Sequence, residues 1–326
     1  MKKRLALQLI AAAAMLTGTL GIAHAEPTKL KWAHVYETSE PFHKWSVWAA
    51  EEIKKRTNDR YEIQVFPAST LGKESDINQG LTLGTVDIIL TGASFAARSY
   101  QPLAISYFPF IFRDAEHQLK YANSDVFRDL ANGYDKASGN HIVALNYYGA
   151  RHVTSNRPIT KPDDMKGLKI RVPDAPAYLA FPKALGANPT PIAFAEVYLA
   201  LQNGTVDAQE NPLPTIEAKK FYEVQKNISL TGHIVDSLLT VVSGQLWSKL
   251  SDPDKKIFTD VMHEAADKTG REIIASEARL VDEFKKKGNN VIVVDKNAFR
   301  EAVLKNTTPT AQGYRQADYD KIISIK

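Results

Sequence analysis

Apolar positions recur along this chain with two alternating periods. Short runs repeat every second residue, and longer ones every third or fourth. Leu30 to His34 reads as a first strand, and Ser39-Glu40-Pro41 supplies a helix start in which proline is tolerated in the first turn. Phe42, Trp45, Ala49 and Ile53 then keep helical spacing through Arg56. Tyr61 to Phe66 alternates as a strand. A helix over about Glu74–Leu83 precedes a short strand, Val86 to Leu90. A polar helix over about Ser124–Lys136 leads into a strand from His141 to Tyr147.

The same grammar then repeats. Strand Leu168–Val172 is followed by a helix Ala175–Leu185, interrupted by Pro182 and ended by Gly186. A helix Glu196–Gln202 is closed by Asn203-Gly204, and another lies around Thr215–Phe221. Two β-branched runs, Ile228–Val235 and Leu238–Val242, predict two strands. From Ser251-Asp252-Pro253-Asp254, a helix start, the pattern stays helical to Lys287, and a last strand is Val291–Val294. Strands alternating with helices predict an α/β fold with largely parallel sheets. A helix so long exceeds one small domain and is expected to cross between two.

The N-terminus changes the length available for folding. Lys2-Lys3-Arg4, an apolar stretch from Leu5 to Ile22 and the small-x-small site Ala23-His24-Ala25 form a Sec-type secretory signal, residues 1–25, with cleavage expected after Ala25 and export of the remainder. The remainder suffices for two domains of ordinary size. Three of the 41 Lys and Arg residues lie in the signal, leaving the rest nearly balanced against 37 Asp and Glu. That balance gives no reason to expect nucleic acid or an anionic membrane as partner. The sequence has no cysteine, which excludes disulfides, thiol catalysis and thiolate metal sites in these residues.

Catalytic and cofactor signatures are not found. There is no Gly-x-Ser-x-Gly elbow, no Walker loop and no Gly-x-Gly-x-x-Gly, so no cofactor is expected. His263-Glu264-Ala265-Ala266-Asp267 opens like a zinc-protease helix but has Asp where the second His belongs, and no metal site is expected there. Asp163-Asp164 reads as a cap for the turn ending at Gly167. Asp207 and Glu210 sit in a turn-rich stretch with nothing to mark them as a working pair. His233 and Asp236 are near in sequence but not on one strand face, and a buried core histidine is the ordinary reading of His233. A secreted enzyme acting on sugar acids would need a nucleophile, a metal site or paired carboxylates; the chain is expected not to be an enzyme.

What remains is two arginines and an asparagine. Arg151 follows Gly149-Ala150, Arg171 ends Leu168-Lys169-Ile170, and Asn211 lies in Gln209-Glu210-Asn211-Pro212. Strand ends and turns are where a rigid scaffold presents side chains to a ligand. A guanidinium there offers a planar fork of donors matched to a carboxylate, so this arrangement points to capture of an organic anion.

The stretches Thr154-Ser155-Asn156-Arg157-Pro158-Ile159, Asp164 to Pro173, Gly186 to Phe194, Glu196 to Gln202, Val206 to Pro212 and Lys220 to Lys226 closely resemble the periplasmic solute-binding proteins of tripartite ATP-independent (TRAP) transporters. Weaker echoes at Phe66 to Gly72 and Gly84 to Asp87 extend the resemblance over most of the chain beyond the signal. It implies a two-lobed α/β fold with the ligand cleft between the lobes and a long interdomain helix. The expected division is 26–148 plus 237–276 for lobe I and 149–236 plus 277–326 for lobe II. It also implies a monomeric receptor, without cofactor, that delivers an organic acid to an integral membrane TRAP permease. A receptor of similar shape for an ATP-driven importer or a chemoreceptor is the alternative within binding proteins.

By position, Arg171 resembles the family arginine that pairs with the ligand carboxylate, Arg151 and Asn211 match further polar contacts, and Phe194 matches an aromatic beside the ligand. The sialic-acid-binding branch has Asn at the position of Val35, Glu at Gly92, Arg at Phe95 and Asn at Asp174. Those departures speak against sialic acid. Glu74 and Asp174 are candidates to accept hydrogen bonds from ligand hydroxyls, while Tyr36, His43 and His233 are further candidate contacts. A monocarboxylate with several hydroxyls, a uronate or other sugar acid, fits best; a dicarboxylate, or another hydroxy or aromatic acid, is the alternative, with Arg98 or Arg151 as the second cation.

Overall fold

The computed structural model describes residues 26–326, so the expected signal and its cleavage site lie outside the described residues. One mixed nine-stranded sheet runs through the molecule. Its strands are β1 (Thr28–Ala33), β2 (Tyr61–Phe66), β3 (Ile88–Gly92), β4 (His141–Ser155), β5 (Lys169–Val172), β6 (Asn188–Pro191), β7 (Ala208–Pro212), β8 (Asn227–Val242) and β9 (Asn290–Ile292). The spatial order is β2-β1-β3-β8-β4-β7-β5-β6, with β9 against β8. β1 pairs in parallel with β2 and β3, and β5 in parallel with β6 and β7, as strand–helix–strand units require.

The two halves are joined by β4 and β8, which are long and antiparallel to each other. The last residues of β8, Leu238–Val242, pair with β3, whereas its first, Asn227–Ser229, pair with β9. β4 meets β7 only over Arg151–Ser155. Between these ends the β4/β8 ladder slips register at Tyr147/Gly149 and again at Arg151/Val153. Such bulges bend a strand and re-aim its side chains, and here they bracket Arg151. Gly149 has φ +118, a conformation L side chains rarely adopt; a Cβ there would lie 2.8 Å from Pro212 Cβ and 2.9 Å from Glu277 Oε1.

Glu277 belongs to the helix Asp252–Lys286, which has 35 residues and so runs about 52 Å. Ser251 caps it by accepting from the Asp254 amide, Pro253 occupies the first turn, and Lys285 and Lys286 face its negative end. Its buried stripe serves both halves. Phe258, Val261 and Met262 pack with Leu30 and Trp32, whereas Leu280 and Phe284 pack with Phe221 and Ile228. Burial of one such aromatic is worth roughly 1.5–3 kcal/mol, so the helix is fastened at each end. In its middle, Glu277 accepts hydrogen bonds from the Ala150 amide at 2.6 Å and Tyr147 Oη at 2.8 Å. His263 donates through Nε2 to the Val143 carbonyl at 2.7 Å, which ties this histidine to β4.

Helices Pro41–Arg56 (α1) and Glu74–Leu83 (α2), strand β2 and the long helix follow the sequence expectations to within a residue or two. Several expectations need correction. The runs Ile228–Val235 and Leu238–Val242 form the single strand β8, because Asp236 is buried against Arg151 and does not end the ladder. β4 continues past Tyr147 to Ser155, with Gly149 absorbing the bulge in place of a stop. The turn-rich stretch around Glu210 is the fully buried strand β7. The helix expected over Ala175–Leu185 splits into a 3-10 turn, Pro176–Leu179, and a helix, Ala180–Ala184, since Pro176 and Pro182 lack the donor that a continuous helix needs. β6 carries two prolines and sits at the sheet edge, where their missing donors cost least.

Candidate functional site

The bulged centre of β4 and the ends of β5 and β7 converge. Arg151 is buried, and its Nε and Nη2 hold both carboxylate oxygens of Glu210, at 2.5 and 2.8 Å. Nη2 also donates to the Glu210 carbonyl at 2.6 Å and to Asn211 Oδ1 at 3.1 Å, and Nη1 donates to Asp236 Oδ2 at 2.8 Å. Burial opposes this charge, but the two carboxylates hold the guanidinium well above its ordinary range. The reciprocal effect keeps Glu210 ionised: burial raises its affinity for a proton, Arg151 and His233 outweigh that, and the value falls to about 2. His233 Nε2 donates to Glu210 Oε2 at 3.1 Å. An ionised carboxylate only accepts, so His233 Nδ1 is the acceptor for Thr231 Oγ1 at 2.8 Å. Burial lowers the His233 pKa, and the ring stacks on Phe181 with centroids 3.9 Å apart.

Arg171 is arranged differently. Its Nε and Nη2 donate to one acceptor, the Ile192 carbonyl, at 3.0 and 2.7 Å. Nη1 is buried and has no protein hydrogen-bond partner. No carboxylate bonds to this guanidinium among the described residues. Burial first, and Arg151 next, depress its pKa to about 10, with Glu210 only partly offsetting them. The half-buried Phe194 ring lies 6.0 Å from the Arg171 guanidinium and 5.2 Å from Lys219 Nζ.

The facing wall comes from the β1–β3 half. Tyr36 packs its ring 6.2 Å from Phe194 and 5.3 Å from Tyr148. Glu74, at the start of α2, accepts through Oε1 from the Gly92 amide at 2.7 Å and Thr91 Oγ1 at 2.9 Å. Burial pushes Glu74 up to about 7, against those hydrogen bonds and the attraction of Arg171. Asn211 donates to Gln209 Oε1 at 2.5 Å while its Oδ1 faces Arg151 and Tyr148.

Arg171, Arg151, Asn211, Phe194, Glu74, Tyr36 and His233 therefore share one neighbourhood. His43 stands behind it, taking a hydrogen bond from His34 Nε2 at 3.2 Å; His34 Nδ1 accepts from the Tyr36 amide, which fixes that tautomer. Asp174 does not join the cluster. It is exposed at the rim, where Arg98 Nη2 contacts its carbonyl at 2.6 Å and its carboxylate at 3.5 Å. Two further contacts cross between the halves: Lys219 to Glu37 at 2.7 Å, and Thr215 Oγ1 donating to Glu40 Oε1 at 2.7 Å. Sequence reasoning missed Glu40, Tyr148, Tyr178 and the part played by Asp236. For Asp236 a signal existed, since a lone carboxylate within an apolar run can be buried only against a cation. For the tyrosines there was none.

Comparisons with known proteins identify the family. Residues 32–312 match the family model described as bacterial extracellular solute-binding protein, family 7. The sialic acid-binding periplasmic protein SiaP of Vibrio cholerae is 39% identical over 256 residues, 78% of this chain and 79% of that protein. A TRAP periplasmic solute-binding protein from Polaromonas sp. JS666, bound to D-erythronate, superposes with a TM-score of 0.88 at 34% identity, covering 92% of this chain and 99% of that one. Another, from Roseobacter denitrificans with bound L-galactonate, superposes with a TM-score of 0.83 at 32% identity, covering 91% and 98%. The chain thus belongs to the family 7 extracellular solute-binding proteins, the two-lobed receptors that bring organic acids to TRAP permeases.

Proposed function

We propose that this chain is a periplasmic receptor, monomeric and without catalytic activity, that closes on a hydroxylated monocarboxylate, a uronate or other sugar acid, and passes it to a TRAP permease. The observation that carries this reading is Arg171, a buried guanidinium with Nη1 lacking an acceptor and no carboxylate opposite it. A ligand carboxylate supplies what that group lacks. Arg151 is already matched by Glu210 and Asp236 and contributes at most its second Nη1 hydrogen, while Asn211 and Phe194 flank the anion. Glu74 and Tyr36 face the hydroxylated part, and His233 holds Glu210 in place. The relatives with bound D-erythronate and L-galactonate support the sugar-acid class.

In this reading the lobes are 26–148 plus 237–276 and 149–236 plus 277–326. Supporting the pivot are the positive φ of Gly149, the register shifts beside it and the Glu277 contact to Ala150. The pairs Lys219–Glu37, Thr215–Glu40 and Arg98–Asp174 would form only on closure, so an acid that bridges the lobes favours the closed state. Residues 1–25 would direct export and be removed after Ala25. A thermal-shift screen of the chain against sugar acids, dicarboxylates and aromatic acids tests the reading. At a hundredfold excess over Kd the cognate acid should add about 2.7 kcal/mol of stability. Failure of every carboxylate to raise the melting temperature would refute it.

A further inference from the structure

Of the four basic side chains placed above around the cleft, three are already paired with carboxylates. Arg151 holds Glu210 and Asp236, Lys219 holds Glu37, and Arg98 reaches Asp174. Of these four, Arg171 alone is left as an anchoring cation. The opposite side of the cleft is acidic and phenolic, and it converges on Gly92 at the end of β3. A Cβ at Gly92 would lie 3.0 Å from Tyr107 Oη, 3.3 Å from Tyr178 Oη and 3.6 Å from Glu74 Oε1. Tyr107 comes from the first half of the sheet and Tyr178 follows β5 in the second; their rings meet edge to face at 5.1 Å. Asp236 is buried between Arg151 and this group, taking Arg151 Nη1 on Oδ2 and the Ser237 amide on Oδ1 at 2.6 Å. Both acids feel burial: it is the main cause that raises Asp236 to about 6 and Glu74 to about 7, with the Asp236 charge contributing to the latter.

From this arrangement we infer that Glu74, with the Tyr178 hydroxyl beside Gly92 and Asp236 behind them, reads the hydroxyls of the ligand and excludes a second carboxylate, making the receptor selective for monoacids over the diacids of the same carbon skeleton. Tyr107, whose Oη donates to the Ser237 carbonyl and accepts from the Ala93 amide, holds this wall in place. The inference rests on the reading of Arg171 as the carboxylate anchor. Its physical basis is asymmetry. A hydroxyl can donate to Glu74 and accept from Tyr178 Oη, whereas a carboxylate placed there meets the Asp236 charge and must keep Glu74 protonated, because Arg151 is already shared between Glu210 and Asp236. The missing Cβ of Gly92 lets the Tyr107, Tyr178 and Glu74 oxygens close on the end of β3.

The test is calorimetry with matched pairs: the aldonates and aldarates of four, five and six carbons, with the wild-type chain, Glu74→Gln and Asp236→Asn. The wild type is expected to bind its best aldonate at least 100-fold more tightly than the aldarate of the same skeleton. Each variant should narrow that ratio by tenfold or more, mainly by strengthening the diacid. If Asp236→Asn does not melt cooperatively, having lost a partner of Arg151, Glu74→Gln decides alone. A wild type that takes aldarate within threefold of aldonate overturns the inference while leaving the carboxylate anchor standing, as do folded variants that keep the wild-type ratio. A wild type that binds neither class overturns the anchor reading itself.

Discussion

Replacing Arg171 by Met separates the two things its guanidinium does. The thioether side chain has similar length and fills the same apolar passage, but it carries no charge and no donors. In the protein alone, burial and Arg151 bring Arg171 down to about 10 from an ordinary value of roughly 12.5. At about 1.4 kcal/mol per tenfold change, holding that buried charge costs about 3 kcal/mol. Against this, Met gives up the hydrogen bonds to the Ile192 carbonyl, a loss of about 1–2 kcal/mol. Arg171→Met should therefore leave the melting temperature of the protein without acid unchanged or slightly raised.

Binding should move the other way. The ligand carboxylate would enter a buried site with its cation removed, a loss on the order of 2–5 kcal/mol. That corresponds to roughly 30- to 4,000-fold in Kd. Titration calorimetry with the best acid from the screen measures the affinity, and calorimetric melting measures the stability. Affinity within threefold of wild type would show that the carboxylate is held elsewhere. A fall in melting temperature of about 5 °C or more would show that the guanidinium stabilises the fold, and that its orphaned Nη1 carries no strain.

Gly149→Ala should destabilise by about 2 kcal/mol or more, because φ is +118 and the added carbon would meet Pro212 and Glu277 within 3 Å; an unchanged urea midpoint would refute the strain. Glu210→Gln leaves Arg151 with one carboxylate where it had two, and should cost about 3–5 kcal/mol, read as a lower melting temperature. Glu40 gives a pH test: burial raises it to about 7, so the native state binds the extra proton and stability should fall as pH rises from about 4.5 through 7. Glu40→Gln should flatten that slope in melts taken between pH 5 and 8, and an unchanged slope would assign it to other groups.

Much of the architecture was legible because helix periodicity is a local property. α1, α2 and the 35-residue helix carry their apolar stripes within their own residues, and their start signals lie in or beside the first turn. β7 and the middle of β8 were not legible, because what makes them strands lies elsewhere. Ala208–Pro212 contains Gln, Glu and Asn, the residues of a turn. It is a buried strand only because Arg151 and His233, supplied by β4 and β8, satisfy Glu210. Asp236 looked like a break between two strands for the same reason: its partner is 85 residues away. Long-range ion pairing overrides local propensity at both places.

The same non-locality explains why two arginines that read alike in sequence have different surroundings. Each follows a strand-like run, and each marked the chain as an anion binder. Only the fold tells them apart, since the β4 bulges turn Arg151 onto two carboxylates, whereas the end of β5 sets Arg171 against a single carbonyl. A guanidinium whose charge is already matched within the protein gains little from a ligand anion, because each partner must be desolvated and the pairing already exists. One whose charge is unmatched, buried and weakened by a like neighbour gains most. Residue type therefore announced the chemistry proposed for the cleft, and on that reading the distribution of counter-charges selects Arg171 to perform it. The decisive comparison is Arg151→Met beside Arg171→Met: the first should lower stability more than affinity, and the second affinity far more than stability. Equal effects on both measurements would show that the counter-charges do not distinguish the two sites.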